Sequence, residues 1–329
     1  MYTITLDTGT TNSRVTLWRD GLPIGKLSRE VGVRDTAKDG HNRKLQSTLR
    51  ELIRSLLEQH SIEISDVERI LASGMITSNV GLVEIPHLVA PVSMSDLANA
   101  MVSRVIPEVA DKEIWFAPGV KNRVSDVTLE TCETMDMMRG EEVEAFGLLR
   151  RLNLQGPAVL ILPGSHTKIV SIDEQGRITG CLTSIAGELI SEITRNTLIA
   201  NALEKSLASE FNQEYVLRGY ETSLRTGLAR TCFTVRILDQ FTEASVNEKA
   251  NFLLGAVLAD DVKALHNSEA ICAPPHANVI VAGKDILTQA LVCILRHDGR
   301  CGQVAAVGGE TTSDLAGFGL IRLAEGMSI

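Results

Sequence analysis

Asp7-Thr8-Gly9-Thr10-Thr11-Asn12-Ser13-Arg14 ends a strand-like opening with a carboxylate and then supplies a glycine and a run of hydroxyl and amide side chains. Such a string can bind phosphate and a divalent cation. Gly9 lets the backbone turn tightly, the N–H groups and side chains of Thr10, Thr11 and Asn12 can donate to phosphate oxygens, and Asp7 can hold Mg²⁺ directly or through water. A polar hairpin with nothing bound is the structural alternative. A second turn, Leu162-Pro163-Gly164-Ser165-His166-Thr167-Lys168, offers the same grammar, with Lys168 as the cation where the first turn has Arg14. Two such turns facing each other could clamp a polyphosphate. Neither is a P-loop, because no Gly-x-x-x-x-Gly-Lys-Ser/Thr occurs. Taken singly, His166 reads as a hydrogen-bonded structural histidine and Lys168 as a solvated strand residue.

The elements that must carry these turns repeat. Tyr2 to Leu6, Arg14 to Arg19 and Pro23 to Arg29 read as a strand meander with an Asp20-Gly21 hairpin. Leu45, Leu49, Leu52, Ile53, Leu56 and Leu57 recur at three and four residues and mark an amphipathic helix. Val67 to Ala72 and Ile114 to Ala117 are further strands, and Met137 to Leu152 reads as the helix that completes the first half. Gln155-Gly156-Pro157 breaks the pattern. Ala158 to Leu162, His166 to Ile172 and Arg177 to Ser184 then restart the meander, and strands are expected at Asn278 to Ala282 and Gln303 to Val307. Gly9 and Gly21 lie 12 residues apart, as do Gly164 and Gly176, and Gly25 and Gly180 keep the same offset of 155. This is the signature of a structural duplication.

Composition agrees with two lobes, 1–154 and 155–329. A chain of 329 residues exceeds one ordinary core. With 44% hydrophobic and 22% charged residues it is a globular sequence, and its net charge of -9 opposes a dedicated nucleic-acid binder. Six cysteines (132, 181, 232, 272, 293 and 301) form no Cys-x-x-Cys pair and read as reduced, mostly buried small hydrophobes. No apolar run reaches membrane-spanning length, and a strand-like start without a leader pattern predicts a cytoplasmic location and no membrane association.

Further motifs accompany the two turns along the chain: with Asp7, Gly9, Thr10, Thr11, Asn12 and Arg14 stand Gly74, Met75, Ser78, Asn79 and Gly81; Pro118-Gly119; Met138-Arg139-Gly140-Glu141-Glu142; Pro163-Gly164-Ser165-His166 with Lys168; Ala186-Gly187-Glu188-Leu189; and Ala282-Gly283 with Leu287. In these the chain resembles the 2-dehydro-3-deoxygalactonokinase (2-keto-3-deoxygalactonate kinase) family. The family commonly has tryptophan where Thr8, Leu82 and Ile169 stand here, a difference that could reshape an acceptor pocket. The resemblance implies an α/β fold of two ribonuclease H-like lobes in the actin and hexokinase (sugar kinase) architecture, with ATP in an interlobe cleft and a helical insertion in the second lobe.

Further roles follow from the resemblance. ATP and Mg²⁺ are the implied cofactors, with Asp7 on the metal. Gly9, Thr10, Thr11, Asn12, Arg14, Gly164, Ser165, His166, Thr167 and Lys168 fall on the phosphates, and Gly283, Gly308 and Gly309 beside the adenine. A general base near the start of the first lobe's last helix would be Asp136, with Glu141 as substitute; placement at a helix N-terminus is the structural rival. Arg139 could fork onto a substrate carboxylate or pair with Glu142 or Glu133. Ser78 and Asn79 suit ligand hydroxyls or turn capping. The implied reaction is ATP-dependent phosphorylation of 2-dehydro-3-deoxy-D-galactonate to its 6-phosphate in galactonate catabolism. A kinase for a related sugar acid, or a nucleotide-binding regulator or phosphatase on the same fold, are the alternatives. The partners expected are the small sugar acid and ATP, with a homodimer possible.

Overall fold

The computed structural model describes residues 1–154, 156–273, 277–283 and 286–327. The opening meander is β1 (Tyr2–Thr8), β2 (Ser13–Arg19) and β3 (Leu22–Arg29), followed by α1 (Val33–Asp39) and α2 (Arg43–His60). Asp20 and Gly21 both take positive φ, 51° and 78°, which gives the two-residue turn its hairpin twist. Then come β4 (Val67–Gly74), the two-residue strand β5 (Leu88–Val89), α3 (Met94–Asn99), β6 (Val102–Ile106), β7 (Ala110–Phe116), β8 (Val120–Lys121), β9 (Met137–Met138) and α4 (Glu141–Leu152). The main sheet runs β3-β2-β1-β4-β7-β6, and β5-β8-β9 form a small second sheet.

Ile4, Leu6, Val15 and Leu17 face one side of the main sheet, where the five leucines and one isoleucine predicted for α2 are all buried against them. On the other face Trp18 Nε1 donates to Thr5 Oγ1 at 2.8 Å. That face is covered by the last helix of the chain, Leu315–Glu325, which brings Gly317 against Trp18 and Thr5.

The second half builds β10 (Ala158–Leu162), β11 (Thr167–Ile172), β12 (Ile178–Ser184), α5 (Ala186–Asn196), α6 (Gln213–Thr226), α7 (Leu228–Phe241), α8 (Val246–Asn267), β13 (Asn278–Ala282), α9 (Ile286–Asp298) and β14 (Val304–Val307). Its sheet order, β12-β11-β10-β13-β14, repeats the first five strands of the main sheet in order and direction: two antiparallel pairings, then two parallel ones. Gly176 turns at φ 74°, as Gly21 does at 78°. The duplication inferred from glycine spacing is thus present in topology. Helix α10 (Leu315–Glu325) closes the chain. It lies against α4, so close that a Cβ on Gly319 would meet Val143 O at 2.2 Å.

Contacts divide the chain into two compact units. One comprises Met1–Arg123, Met137–Leu154 and Asp314–Ile329, the other Val124–Asp136 and Gln155–Ser313. Two segments thereby depart from a simple division at 154/155: 124–136 belongs with the second unit, and α10 with the first, because its apolar face packs on α4 and β1. Gln155, on which the expected break begins, and residues 328–329 of the expected second lobe lie outside the described residues. Only Cys181 of the six cysteines is buried; Cys132 and Cys272 are exposed, and no disulfide forms among the described residues. Nor is any described helix long and apolar enough to cross a membrane.

Candidate active site

In the first unit, strand pairing sets Asp7 opposite Arg14 on β2 and Ser73 on β4. Arg14 Nη1 donates to Asp7 Oδ2 at 2.9 Å, so the arginine first placed on phosphate is engaged with the carboxylate beside it. The turn between them is closed by Gly9 N donating to Asn12 O at 2.8 Å. Asn12 Nδ2 donates to Thr11 Oγ1, and Thr10 and Thr11 are exposed. Their hydroxyls remain open to a ligand.

Sequence reasoning passed over Glu144 on the first turn of α4. Part of its side chain stays exposed, yet its carboxyl is pushed up to about 8, first by loss of surrounding water and then by the charge of Asp7. The neighbouring charge of Asp7 raises the affinity of Glu144 for a proton or a cation. The residues fit a magnesium ion of the kind that keeps waters and takes substrate phosphate oxygens. Asp7 and Glu144 are hard oxygen donors, and Ser73 Oγ is buried without a hydrogen-bond partner in the same row of the sheet. Gly74 also leaves room, since a Cβ there would stand 3.2 Å from Asp7 Oδ1. Groups of three or more His, Cys, Asp or Glu suited to an all-protein metal cage do not occur among the described residues.

The expected helix over Met137–Leu152 begins four residues late. Met137–Met138 pair with β8, Gly140 turns at φ 110°, and α4 starts at Glu141. Asp136 therefore does not sit at a helix N-terminus, which removes the structural rival weighed against its role as a base. That helix-start position belongs to Glu141, whose Oε2 accepts from Arg139 N at 3.0 Å. Beside it Glu142 is fully buried and takes Gly140 N, and burial followed by the Glu141 charge pushes its carboxyl up to about 8.

Arg139 departs from its expected role. Nη1 donates to Thr77 O and Thr77 Oγ1 at 2.6 and 2.7 Å, and Nη2 donates to Ile85 O at 2.8 Å and lies 3.4 Å from His87 Nδ1. Its fork is spent on the backbone of the loop after β4, and neither Glu142 nor Glu133 receives it. The arginine holds in place the turn that bears Ser78 and Asn79. Ser78 Oγ donates to Met75 O, as turn capping would have it, while Asn79 is exposed.

A cation on this side was also missed. Lys121 lies in register between Val89 on β5 and Met137 on β9, both exposed. His87 stands just before β5, within reach of the Lys121 charge. Burial, then Arg139, then Lys121 pull the His87 imidazole down to about 4. The signal was present in sequence, since Lys121 stands two residues beyond Pro118-Gly119.

In the second unit the turn from Gly164 to Lys168 is built differently. Ser165 and His166 are exposed, His166 Nε2 lies 3.1 Å from Glu188 Oε2, and Ser165 O accepts from Glu188 N. Lys168, read as a solvated strand residue, is only 4% exposed. Its Nζ donates to Thr183 Oγ1 and stands 3.7 Å from Asp136 Oδ1. Asp136 also accepts from the Thr183 amide and, at 2.8 Å, from its hydroxyl. The carboxylate and the cation that sequence reasoning assigned to separate roles are thus brought together. Thr167 is buried next to Asp261, whose carboxyl burial pushes up to about 6 while Ser184 and Thr167 pull it back by hydrogen bonding.

Adjoining this turn is an apolar pocket of about 160 Å³ lined by Gly187, Ile190, Thr194, Ala250, Leu254 and Leu287 with their neighbours. Gly187 joins the two: a Cβ there would fall 2.0 Å from Gly164 O. Gly283 N donates to Val307 O at 2.9 Å, which sets the ends of β13 and β14 side by side, and Gly283 lies near Pro163. Gly283, Gly308 and Gly309 do not line this pocket. Gly187 and Leu287, both within quoted family motifs, do.

The family model for 2-keto-3-deoxy-galactonokinase matches residues 7–317. The chain belongs to this family. It is 25% identical to the 2-dehydro-3-deoxygalactonokinase of Escherichia coli (strain K12) over 315 residues, covering 94% of this chain and 93% of that protein. Against the protein of similar name, DgoK1, from Rhizobium meliloti (strain 1021), identity is 26% over 210 residues, spanning 62% of this chain and 60% of the relative. In structure it is similar to a 2-dehydro-3-deoxygalactonokinase protein from Sinorhizobium meliloti, at TM-score 0.73, 22% identity and 98% of both chains. A ligand-bound xylulose kinase from Lactobacillus acidophilus matches at TM-score 0.51 and 11% identity, over 98% of this chain and 89% of that one. The fold of this galactonokinase-family chain is accordingly the expected one, ribonuclease H-like lobes of the actin and hexokinase sugar-kinase architecture.

Proposed function

We propose that the protein transfers the γ-phosphoryl group of ATP to the 6-hydroxyl of 2-dehydro-3-deoxy-D-galactonate, in the galactonate catabolism of the cytoplasm. One observation carries the kinase reading. The Gly164 turn, with buried Lys168 behind it, runs through Gly187 into an apolar pocket, so phosphate donors and a place for a flat ring adjoin within one unit.

Phosphoryl transfer asks mainly for positioning and charge neutralisation. In this reading Ser165 and His166 of the second unit contact the phosphates, and Lys168 carries the positive charge behind them. Magnesium, when bound through Asp7 and Glu144, supplies neutralisation of the charge that develops on the phosphate oxygens. Asp136 accepts the proton of the attacking hydroxyl, and its hydrogen bonds from Thr183 and salt bridge to Lys168 hold the carboxylate in place. Glu141, with an oxygen on the Arg139 amide, organises the start of α4. Asn79 takes acceptor hydroxyls, Arg139 positions its turn, and Lys121 meets the carboxylate that a 2-keto sugar acid carries and a neutral sugar lacks.

The test is purified protein with Mg-ATP and a panel of sugar acids and matched neutral sugars, read by product mass and by inorganic phosphate. Phosphorylation of the 2-keto-3-deoxy acid above all others supports the reading. Phosphate release independent of any acceptor makes the protein a phosphatase, and nucleotide binding without turnover makes it a regulator.

A further inference from the structure

Helix α8 runs through the core of the second unit, and Asp261 is the only acid among its buried residues. It is 3% exposed. A carboxyl group in such surroundings costs stability unless its oxygens are answered, yet Oδ2 of Asp261 has no hydrogen-bond partner among the described residues. Packing alone gives no reason for an acid there. Its partners are two hydroxyls: Ser184 Oγ donates to Oδ1, and the Thr167 hydroxyl hydrogen-bonds the same carboxyl.

Strand register explains why these two meet one acid. Thr167 on β11 and Ser184 on β12 form the end rung of that ladder, and Lys168 and Thr183 form the next. Successive strand residues point to opposite faces. Thr167 and Ser184 therefore continue the row of Ile169 and Leu182, which pack into one core with α8, while Lys168 and Thr183 point the other way and meet Asp136. Each face of the ladder's end has its own acid. From that end the chain runs straight into the Gly164 turn on one side, because Thr167 follows Gly164-Ser165-His166, and into α5 on the other, where Ser184 Oγ accepts from Ala186 N at 3.3 Å. Helix α5 in turn grips the loop, with Glu188 N donating to Ser165 O at 2.9 Å and Gly187 lying against Gly164 O. Asp261 thus reaches the Gly164 turn by two routes, along the chain through Thr167 and across α5 through Ser184.

We infer that Asp261 is a positioning residue for nucleotide binding, holding the Gly164 turn in its phosphate-binding shape by accepting from Thr167 and Ser184. The inference rests on the nucleotide reading of that turn. Calorimetric titration with Mg-ADP, together with kinetics in which ATP and the acceptor are both varied, tests it. Asp261→Leu keeps the volume and removes the acceptor oxygens, so the ADP Kd and the ATP KM should rise at least about tenfold, with kcat at saturating ATP and the acceptor KM near wild type. Asp261→Asn keeps an oxygen for both hydroxyls and should bind ADP within about threefold of wild type. Ser184→Ala cuts one route and should weaken ADP by about threefold or more, and adding it to Asp261→Leu should cost nothing further, because both changes break the same bond. Wild-type ADP affinity in the leucine variant overturns the inference. So does an asparagine variant as weak as the leucine one, or an equal loss for ATP and acceptor. If the leucine variant lacks a cooperative melt, Ser184→Ala decides, and unchanged ADP affinity there overturns the inference. A wild-type protein that binds no nucleotide removes the kinase reading and this inference with it. A wild-type protein that binds ADP no better than a folded leucine variant removes this inference alone.

Discussion

Asp7 has neighbours on every side. Arg14 balances its charge, Glu144 crowds it, and Ser73 offers a hydroxyl with no other partner. Asp7→Asn removes the charge while keeping size and strand pairing, so the fold should stand. Turnover with Mg-ATP should fall by about 10²-fold or more, the usual cost of losing one electrostatic contact to a transferring group. Near wild-type kcat would take Asp7 out of the reaction. Asp7 was legible because strand, carboxylate, glycine and hydroxyls follow one another in eight residues. Asp136 was legible only by family position, for its partners Thr183 and Lys168 are 47 and 32 residues away and a local reading sees only the helix to come. The burial of Lys168 and the backbone partners of Arg139 were not legible for the same reason: burial and long-range carbonyl partners leave no trace in neighbouring residues.

At the level of elements, the first turn of α4 gathers three acids, Glu141, Glu142 and Glu144. A helix N-terminus favours acids by only about 0.3 to 1 kcal/mol each at an exposed site. Burial outweighs that at Glu142, whose folded pKa is raised from 4.5 to about 8. The sign follows from proton counting. Between those two values the native state holds a proton that the unfolded chain has released, so Glu142 makes stability fall as pH rises through this window. Thermal unfolding at about pH 5.5 and about pH 8.5 should show wild type losing more on the alkaline step than Glu142→Gln. Equal losses would place an ionised Glu142 in the native protein throughout. The pattern of the chain foretold α2, because a single continuous apolar face from Leu45 to Leu57 is buried. It misplaced the start of α4 because Met137–Met138, apolar like the helix that follows, pair as a strand and the positive φ of Gly140 then sets the boundary.

Across the whole molecule, the two halves share a topology and differ where chemistry requires it. In the first unit the cation of the turn, Arg14, stands in register with Asp7. At the equivalent ladder position of the second unit Lys168 faces Leu162, which cannot answer its charge. Asp136 answers instead, from the 124–136 segment that belongs to that unit although it precedes α4 in the chain. One half thus pairs its carboxylate, Asp7, with Arg14 across the turn, and the other keeps a buried cation, Lys168, answered by Asp136. Donor and acceptor functions should then separate by unit. Lys168→Met should raise the KM for ATP about 10- to 100-fold, the value of a charge-assisted hydrogen bond, and leave the acceptor KM near wild type. Lys121→Met should do the reverse, raising the KM for an acidic acceptor while a neutral analogue and ATP are little affected. Steady-state kinetics with both substrates varied, on variants whose melting shows intact folds, reads both effects in one experiment. If Lys168→Met moves the acceptor KM and leaves that for ATP alone, the second unit's turn does not hold the nucleotide. If Lys121→Met weakens acid and neutral acceptors alike, the face formed by β5, β8 and β9 does not recognise the carboxylate.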